Sequence, residues 1–418
     1  MVTTILRRTG GLLACALLAP VLFAAPAVAS TRVLSGEYHL GDTAFQVPDF
    51  HTGDGTAPAD IELTASVHYP ANVAYGSHPL VLLMHGYWET CADRAAGAEY
   101  EAAIRVLNDP AAGETARLEA LATVRRTAAL LSRWPCAPGT PSLTSYRGFD
   151  YLASELAGRG YVVVSVSANG INAGQIGDAA DRARTALINK HLSLWEQLSR
   201  GTGPLAGKLP ASFEGHVDMQ NVGTLGHSRA GRAVMHHAAE NHRFDWPSGV
   251  TVKAVVPLEA ASYYAPDPEA PENDDYRVTS TPFQAVIGGC DSVSNPGAKG
   301  YFTNSAGRNQ APISQVTFAG ANHNYLNTQW SPSSGQVLAK DDVEQAAQLG
   351  WTPRPRPGHC TNTGTGTVER QLSEQQQRAA VSTYVTAFFR RHLGGESQFD
   401  ALLDGTVHVP GVDVVHRN

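Results

Sequence analysis

Val222-Gly223-Thr224-Leu225-Gly226-His227-Ser228-Arg229-Ala230-Gly231 is the stretch on which the reading of this chain turns. Val222–Leu225 reads as a short buried strand, and the residues from Arg229 to about His242 read as a helix. Between them lies Gly-x-Ser-x-Ala. A serine on a sharp turn between strand and helix has its hydroxyl pushed out to where a substrate can meet it. The residues two before and two after must be small, because the turn folds them onto one another. Gly226 and Ala230 meet that need, with alanine where a second glycine is usual. The helix that starts at the turn also aims backbone N–H groups at any negative charge developing beside the serine. As a bare pattern Gly-x-Ser-x-Ala is weak. Its place between a strand and a helix is what gives it meaning.

Outward from this turn the chain alternates between two periods. Residues 33–40 and 61–69 read as strands, the second with Ile61, Leu63, Ala65 and Val67 in alternation. Pro79–Met84 and Tyr161–Val166 are continuous apolar runs, as expected for strands covered on both faces of a parallel sheet. Further strands are expected at 252–258, 283–288 and 314–319. Helical patterns fall at 93–133 (broken at Asn108-Asp109-Pro110), 146–158, 178–199 and 372–393. Strands alternating with helices imply an α/β fold with a mostly parallel central sheet and helices on both faces. No internal repeat and no clear linker is seen, so residues 30–418 are expected to form a single domain. Residues 89–145, directly after the Pro79–Met84 strand, form a helical insert placed where a cap would emerge. Residues 265–275 and 352–367 read as loops.

A serine hydroxyl is a poor nucleophile until a base takes its proton. Gly320-Ala321-Asn322-His323-Asn324 follows the strand 314–319, which puts His323 at a strand's C-terminal end. Ligands and catalytic loops gather at that end of open α/β sheets. Gly288-Gly289-Cys290-Asp291 follows strand 283–288 and supplies a carboxylate to orient the histidine. Glu259, which ends the strand 252–258, is the alternative acid. The order Ser228, Asp291, His323 is the one this architecture uses.

With those residues in place, the chain resembles the α/β-hydrolase superfamily over roughly residues 60–395. Gly226-His227-Ser228-Arg229 is most similar to the turn of secreted bacterial serine esterases and lipases: the cutinase-like polyester hydrolases and the chlorophyllase and platelet-activating-factor acetylhydrolase groups. The resemblance implies Ser228 as nucleophile, His323 as base and Asp291 as acid. It also implies an oxyanion hole from the backbone amides of Tyr87, after His85-Gly86, and of Arg229. The long insert 89–145 and the unusual stretch 340–367 depart from the compact polyesterases, and both bear on the substrate rather than on the chemistry. The activity expected is hydrolysis of a small-molecule or polymeric carboxylic ester through an acyl-enzyme. A peptidase or amidase on the same fold, and a binding protein on an inactive scaffold, remain open at this stage.

Other features bound the reading. The first thirty residues carry Arg7-Arg8, an apolar stretch Leu12–Val28 and the small-residue site Ala27-Val28-Ala29, the layout of a secretory signal peptide over 1–29. Its removal takes two arginines and no acid, so the formal charge goes from −7 to −7 − 2 = −9. That balance does not suit a nucleic-acid binder, and no later window is apolar enough to expect stable membrane insertion. Export places Cys91, Cys136, Cys290 and Cys360 in an oxidising compartment. Three pairings are possible. Cys91–Cys136 and Cys290–Cys360 are expected, since each brackets one irregular stretch. No cofactor or metal is expected: there is no Gly-rich phosphate cradle and no C-x-x-C pair, and His227, His236, His237 and His242 read as packed or surface histidines. Asp267, Glu269, Glu272, Asp274 and Asp275 lack the spacing of a calcium loop and read as a solvated acidic loop. Tyr87, Trp88, Trp134 and Trp330 are candidates for lining an apolar acyl pocket. The sequence leaves the oligomeric state open.

Overall fold

The computed structural model describes residues 31–53, 55–263, 272–294, 297–350 and 355–418. The expected signal peptide, 1–29, lies outside the described residues, as do Asp267 and Glu269. Strands β1 (Val33–His39) and β2 (Thr64–Pro70) pair antiparallel at the start of the chain. Strand β3 (His78–Met84) is followed by helices α1 (Arg94–Asn108), α2 (Glu114–Leu131) and α3 (Asp150–Ala157). Then come β4 (Val162–Val166), the single turn α4 (Asn169–Asn172) and the long α5 (Asp178–Ser199). Strand β5 (Val217–His227) leads into α6 (Arg229–Ala238), β6 (Val252–Leu258), β7 (Phe283–Gly288) and α7 (Gly297–Ser305). The last third holds β8 (Ile313–Phe318), α8 (Asp342–Gln348), the small hairpin β9 (His359–Thr361) and β10 (Val368–Arg370), α9 (Glu374–Gly394), α10 (Asp400–Leu403) and β11 (Val412–Arg417).

Nine strands make one sheet in the order β1-β2-β4-β3-β5-β6-β7-β8-β11. From β4 to β8 all neighbours are parallel; the antiparallel strands lie at its two margins. The protein is therefore α/β with a large, mostly parallel central sheet. The apolar runs that hide their period in the sequence divide cleanly between its two faces. Leu80, Leu82 and Met84 of β3 pack with Leu187 of α5, Ala233 of α6 and Ala298 of α7. Val81 and Leu83 face the other way, toward Leu152 of α3 and Val381 and Phe389 of α9. Burying alternate residues on both faces is why these strands contain almost no polar residue.

The strand order sets where a site can form. From β3 the chain moves to β4 on one side, then crosses back to β5 on the other. Such a reversal leaves a crevice outside the C-terminal ends of the two strands. His85-Gly86-Tyr87 follows β3 and Ser228 follows β5, so both stand at this crevice.

The insert 89–145 is a helical hairpin whose first helix stops at Asn108, before Pro110. Asp93 caps it by accepting from the Ala96 amide at 2.9 Å. A disulfide joins Cys91 to Cys136 at its base, and a second joins Cys290 to Cys360. The hairpin packs Ala96 and Leu131 on Val337 and Leu338, in the segment after His323.

Several elements differ from expectation. Strand β5 starts at Val217, because a polar, half-exposed lead-in with a register shift between Val222 and Gly223 precedes its buried core. Strand β2 starts at Thr64, three residues late. Helix α8 and the β9–β10 hairpin lie in the stretch that reads as irregular. Edge strand β11 pairs with β8, and its weak alternation and partial exposure give little sequence signal.

Candidate active site

Ser228 sits between β5 and α6 with φ 57° and ψ −122°. Positive φ in a residue with a side chain carries strain, and here the backbone on both sides holds it. The Ser228 amide donates to the Leu258 carbonyl at 3.0 Å, and its carbonyl accepts from Gly231 at 2.9 Å and Ala261 at 3.1 Å. The tightness of the turn explains the small residues. A Cβ on Gly226 would lie 2.0 Å from the Ala230 carbonyl oxygen. A Cβ on Gly86 would lie 2.5 Å from the Ser228 Cβ, so the loop after β3 is pressed against the serine.

Two backbone amides flank this position. Among the described residues neither the Tyr87 N–H nor the Arg229 N–H has a hydrogen-bond partner. Arg229 is the first residue of α6, a ten-residue helix whose dipole adds to the pull on an anion. The loop after β3 is fixed by His85, which is buried. His85 Nε2 accepts from the Ala168 amide at 2.9 Å, so the proton sits on Nδ1 and is donated to the Gly86 carbonyl at 2.9 Å. Burial keeps that ring neutral, with its pKa pushed down to about 3.

His323 follows β8 and Asp291 follows β7, and the structure brings them together. His323 Nδ1 lies 3.0 Å from Asp291 Oδ2 with both side chains buried. Asp291 also accepts from the Val293 and Ser294 amides, each at 2.8 Å, and from Ser294 Oγ at 2.6 Å. Burial penalises its charge, but the neighbouring His323 and these donors outweigh that and hold it below the usual aspartate range. For His323 burial works against the imidazolium, yet Asp291 prevails and raises the ring above an ordinary histidine. Among the described residues Ser228 Oγ makes no hydrogen bond to His323. The serine is linked to that histidine through its neighbour: the His227 and His323 rings stand 4.4 Å apart, centre to centre.

Glu259, the alternative acid, is farther, with Oε2 3.7 Å from His323 Nδ1. It is fully buried, has φ 41°, and neither of its carboxylate oxygens has a hydrogen-bond partner. Burial first, then Asp291 and Asp342, push its pKa well above the usual glutamate value. His227 Nε2 is 3.7 Å from the same oxygen, and both nitrogens of this buried ring are unpartnered. Burial and the proximity of His323 keep His227 neutral. His227, Glu259 and His323 could together offer three donors to a cation.

Parts of the site carry no sequence motif. Asp342 accepts from the amides of Ser292, His323 and Asn324 at 3.0–3.2 Å, holding the acid loop and the histidine loop together. Burial and Asp291 raise its pKa to about 6. Gln377 of α9 brackets Asn322, accepting from its amide at 2.9 Å and donating to its carbonyl. Asp341-Asp342 lies in a stretch that reads as irregular in sequence and carries no motif. Trp330 covers the histidines: it stacks on Trp88 at 4.8 Å and 12°, and its centre lies 5.0 Å from that of His227. Trp134 is elsewhere, donating to the Asp42 carbonyl at 2.8 Å. Tyr87 is 41 % exposed, with the Arg229 guanidinium 5.3 Å over its ring. His236 and His237 are packed histidines, bonded to Thr185 and Asn189. Glu272 and Asp274 pair with Arg277 and Arg308, so these acids are committed to arginines. A cavity of about 840 Å³ lies apart from Ser228, between α1 and the 332–349 segment, with Tyr100, Arg105 and Lys340 among its walls.

Compared with known proteins, the chain matches no protein-family model and no curated sequence.

Proposed function

We propose that this chain is a serine hydrolase of the α/β-hydrolase type, cleaving carboxylic esters by an acyl-enzyme route. One observation carries the reading. A serine strained at positive φ stands between two unpartnered amides, at the crevice whose neighbouring strand ends hold a buried histidine–carboxylate pair. An ordinary serine in a tight turn needs none of these companions. In the proposed cycle His323 takes the Ser228 proton and Oγ adds to the ester carbonyl. The Tyr87 and Arg229 amides receive the oxyanion, and Asp291 stabilises the imidazolium. His323 then protonates the leaving alcohol. Water, deprotonated by His323, attacks the acyl carbon; the acyl–Oγ bond breaks, His323 returns the proton to Ser228 Oγ, and the carboxylic acid leaves.

Two disulfides fit an oxidising compartment, which supports the reading of a secreted enzyme. Among the described residues no helix is long and apolar enough to cross a membrane. The substrate is a small-molecule or polymeric ester that reaches the crevice between β3 and β5.

Ser228→Ala should lower turnover of short-chain nitrophenyl esters by about 10⁴-fold or more, with the thermal transition kept. Turnover equal to the unmodified protein would remove the assignment. Ester and amide versions of one acyl group, assayed side by side, separate an esterase from a peptidase.

A further inference from the structure

The amide of Tyr87 receives the oxyanion only if its peptide plane is held in one orientation. Gly86 C=O and Tyr87 N–H belong to the same planar trans peptide and point in opposite directions. Whatever holds the carbonyl therefore aims the amide. His85 Nδ1–H is one donor to that carbonyl. Asn172 Nδ2–H, from the turn α4, is the other, at 3.0 Å. The amide oxygen of Asn172 in turn accepts from Arg184 Nη2–H of helix α5.

Arg184 is among the most deeply buried large side chains of the protein, 1 % exposed. Burying a guanidinium is costly unless its charge is used. Among the described residues no carboxylate forms an ion pair with it. The nearest acid in sequence, Asp181 on the same helix, is bonded to Arg232 and to the Tyr276 hydroxyl and acts on Arg184 through space alone. Apart from a long 3.4 Å contact of Nη1 to the Ala180 carbonyl, its hydrogen bond goes to Asn172, and its Nε has no partner. Burial lowers its pKa only to about 10, so the cation persists at neutral pH.

We propose that Arg184 and Asn172 are positioning residues that orient and polarise the Tyr87 amide toward the oxyanion. This rests on the esterase reading above. The groups run head to tail: Arg184 N–H to Asn172 C=O, Asn172 N–H to Gly86 C=O, Tyr87 N–H to the oxyanion. Each donor in such a chain strengthens the next. A full positive charge at the far end, in a region closed to water, loses little of its field to screening. Its effect grows as charge develops on the substrate oxygen, so it acts on the transition state more than on the bound ester.

The test uses the full-length mature protein and a short nitrophenyl ester. Asn172→Asp keeps the side-chain volume and the contact to Arg184 but replaces the donor to Gly86 with an acceptor. It should lower kcat by about 10²-fold while KM stays within about two-fold. Affinity for a trifluoromethyl ketone, which forms a hemiketal oxyanion on Ser228, should fall by a similar factor. Arg184→Met should lose kcat in the same way, and Arg184→Lys should recover most of it, which mere filling of space would not. Asn172→Ser serves if Asn172→Asp does not fold. Folded variants with unchanged kcat, or with losses confined to KM, overturn the relay while leaving the esterase reading intact. Absence of ester turnover in the unmodified protein overturns both.

Discussion

Among the described residues Ser228 is one of three non-glycine residues at positive φ, with Glu259 and Leu338. Ser228 at φ 57° carries a backbone cost on the order of 1–3 kcal/mol, which the strand, the helix start and the pressed loop at Gly86 must hold in place. The titrating groups behind it are pushed apart: Asp291 downward and His323 upward by each other, Glu259 well upward and His227 well downward by burial. This separation has two consequences. First, His323 serves as base only when neutral, and its pKa lies above 6.5. Activity as kcat/KM should therefore fall about tenfold per pH unit below a midpoint above 6.5. In Asp291→Asn that midpoint should move to lower pH and the plateau should drop by about 10⁴-fold. A pH–rate profile with an unshifted midpoint would speak for another acid. Second, Glu259 has a folded pKa well above its unfolded value of 4.5. Its contribution to stability is thus full below pH 4.5 and shrinks as pH rises toward the folded pKa, because the folded state alone must keep the proton. Glu259→Gln needs no such proton. The Tm of Glu259→Gln minus that of the unmodified protein should increase as pH rises above 4.5 toward the folded pKa. A difference that is flat in pH would mean that Glu259 is not protonated in the folded state.

At the scale of elements, three loops at strand ends carry Ser228, Asp291 and His323, and each is held by something outside itself. The Asp291 loop is tied to the β9–β10 hairpin by Cys290–Cys360, the residue next to the acid carrying the link. The chain between those cysteines spans 70 residues, and a native bridge of this kind typically contributes about 2–5 kcal/mol. Cys290→Ser with Cys360→Ser should lower stability within that range and also reduce kcat. Chemical denaturation and ester turnover of the same sample measure both. Loss of stability with kcat unchanged would show that the bridge does not position the acid. Much of this level is legible in the sequence. The strands before these loops announce themselves by apolar residues, in β8 only at alternate positions, and Ser228, Asp291 and His323 each follow the end of such a strand. Less legible are Asp342, Gln377, Asn172 and Arg184. They reach the site from helices far along the chain, and a carboxylate at a helix start or an arginine on an amphipathic helix reads the same whether it faces water or a buried carbonyl. Strand β11 escapes for a related reason, since an edge strand covered on one side needs few apolar residues.

For the whole molecule, the order β4-β3-β5 in the sheet explains why the site is where it is. The switch between β3 and β5 opens a crevice, and the loops of β7 and β8 bring the histidine–carboxylate pair toward the same end. The insert 89–145 rests on the segment after His323, and under the proposed function it would bear on which substrate enters rather than on bond cleavage. Composition legibly gives the class of fold, because βαβ alternation and doubly buried strands have few other solutions. The pairing of the four cysteines is also as their spacing suggests. What composition cannot give is how Trp88, Trp330 and Tyr87 settle against loops that have no period. The central claim is that Ser228 is an activated nucleophile, and covalent capture tests it most directly. A fluorophosphonate incubated with the purified mature protein should add one phosphonyl group. Peptide mass spectrometry should place that group on Ser228, and the Ser228→Ala variant should stay unlabelled. An unmodified protein that does not react, or a Ser228→Ala variant that labels equally well, would contradict it.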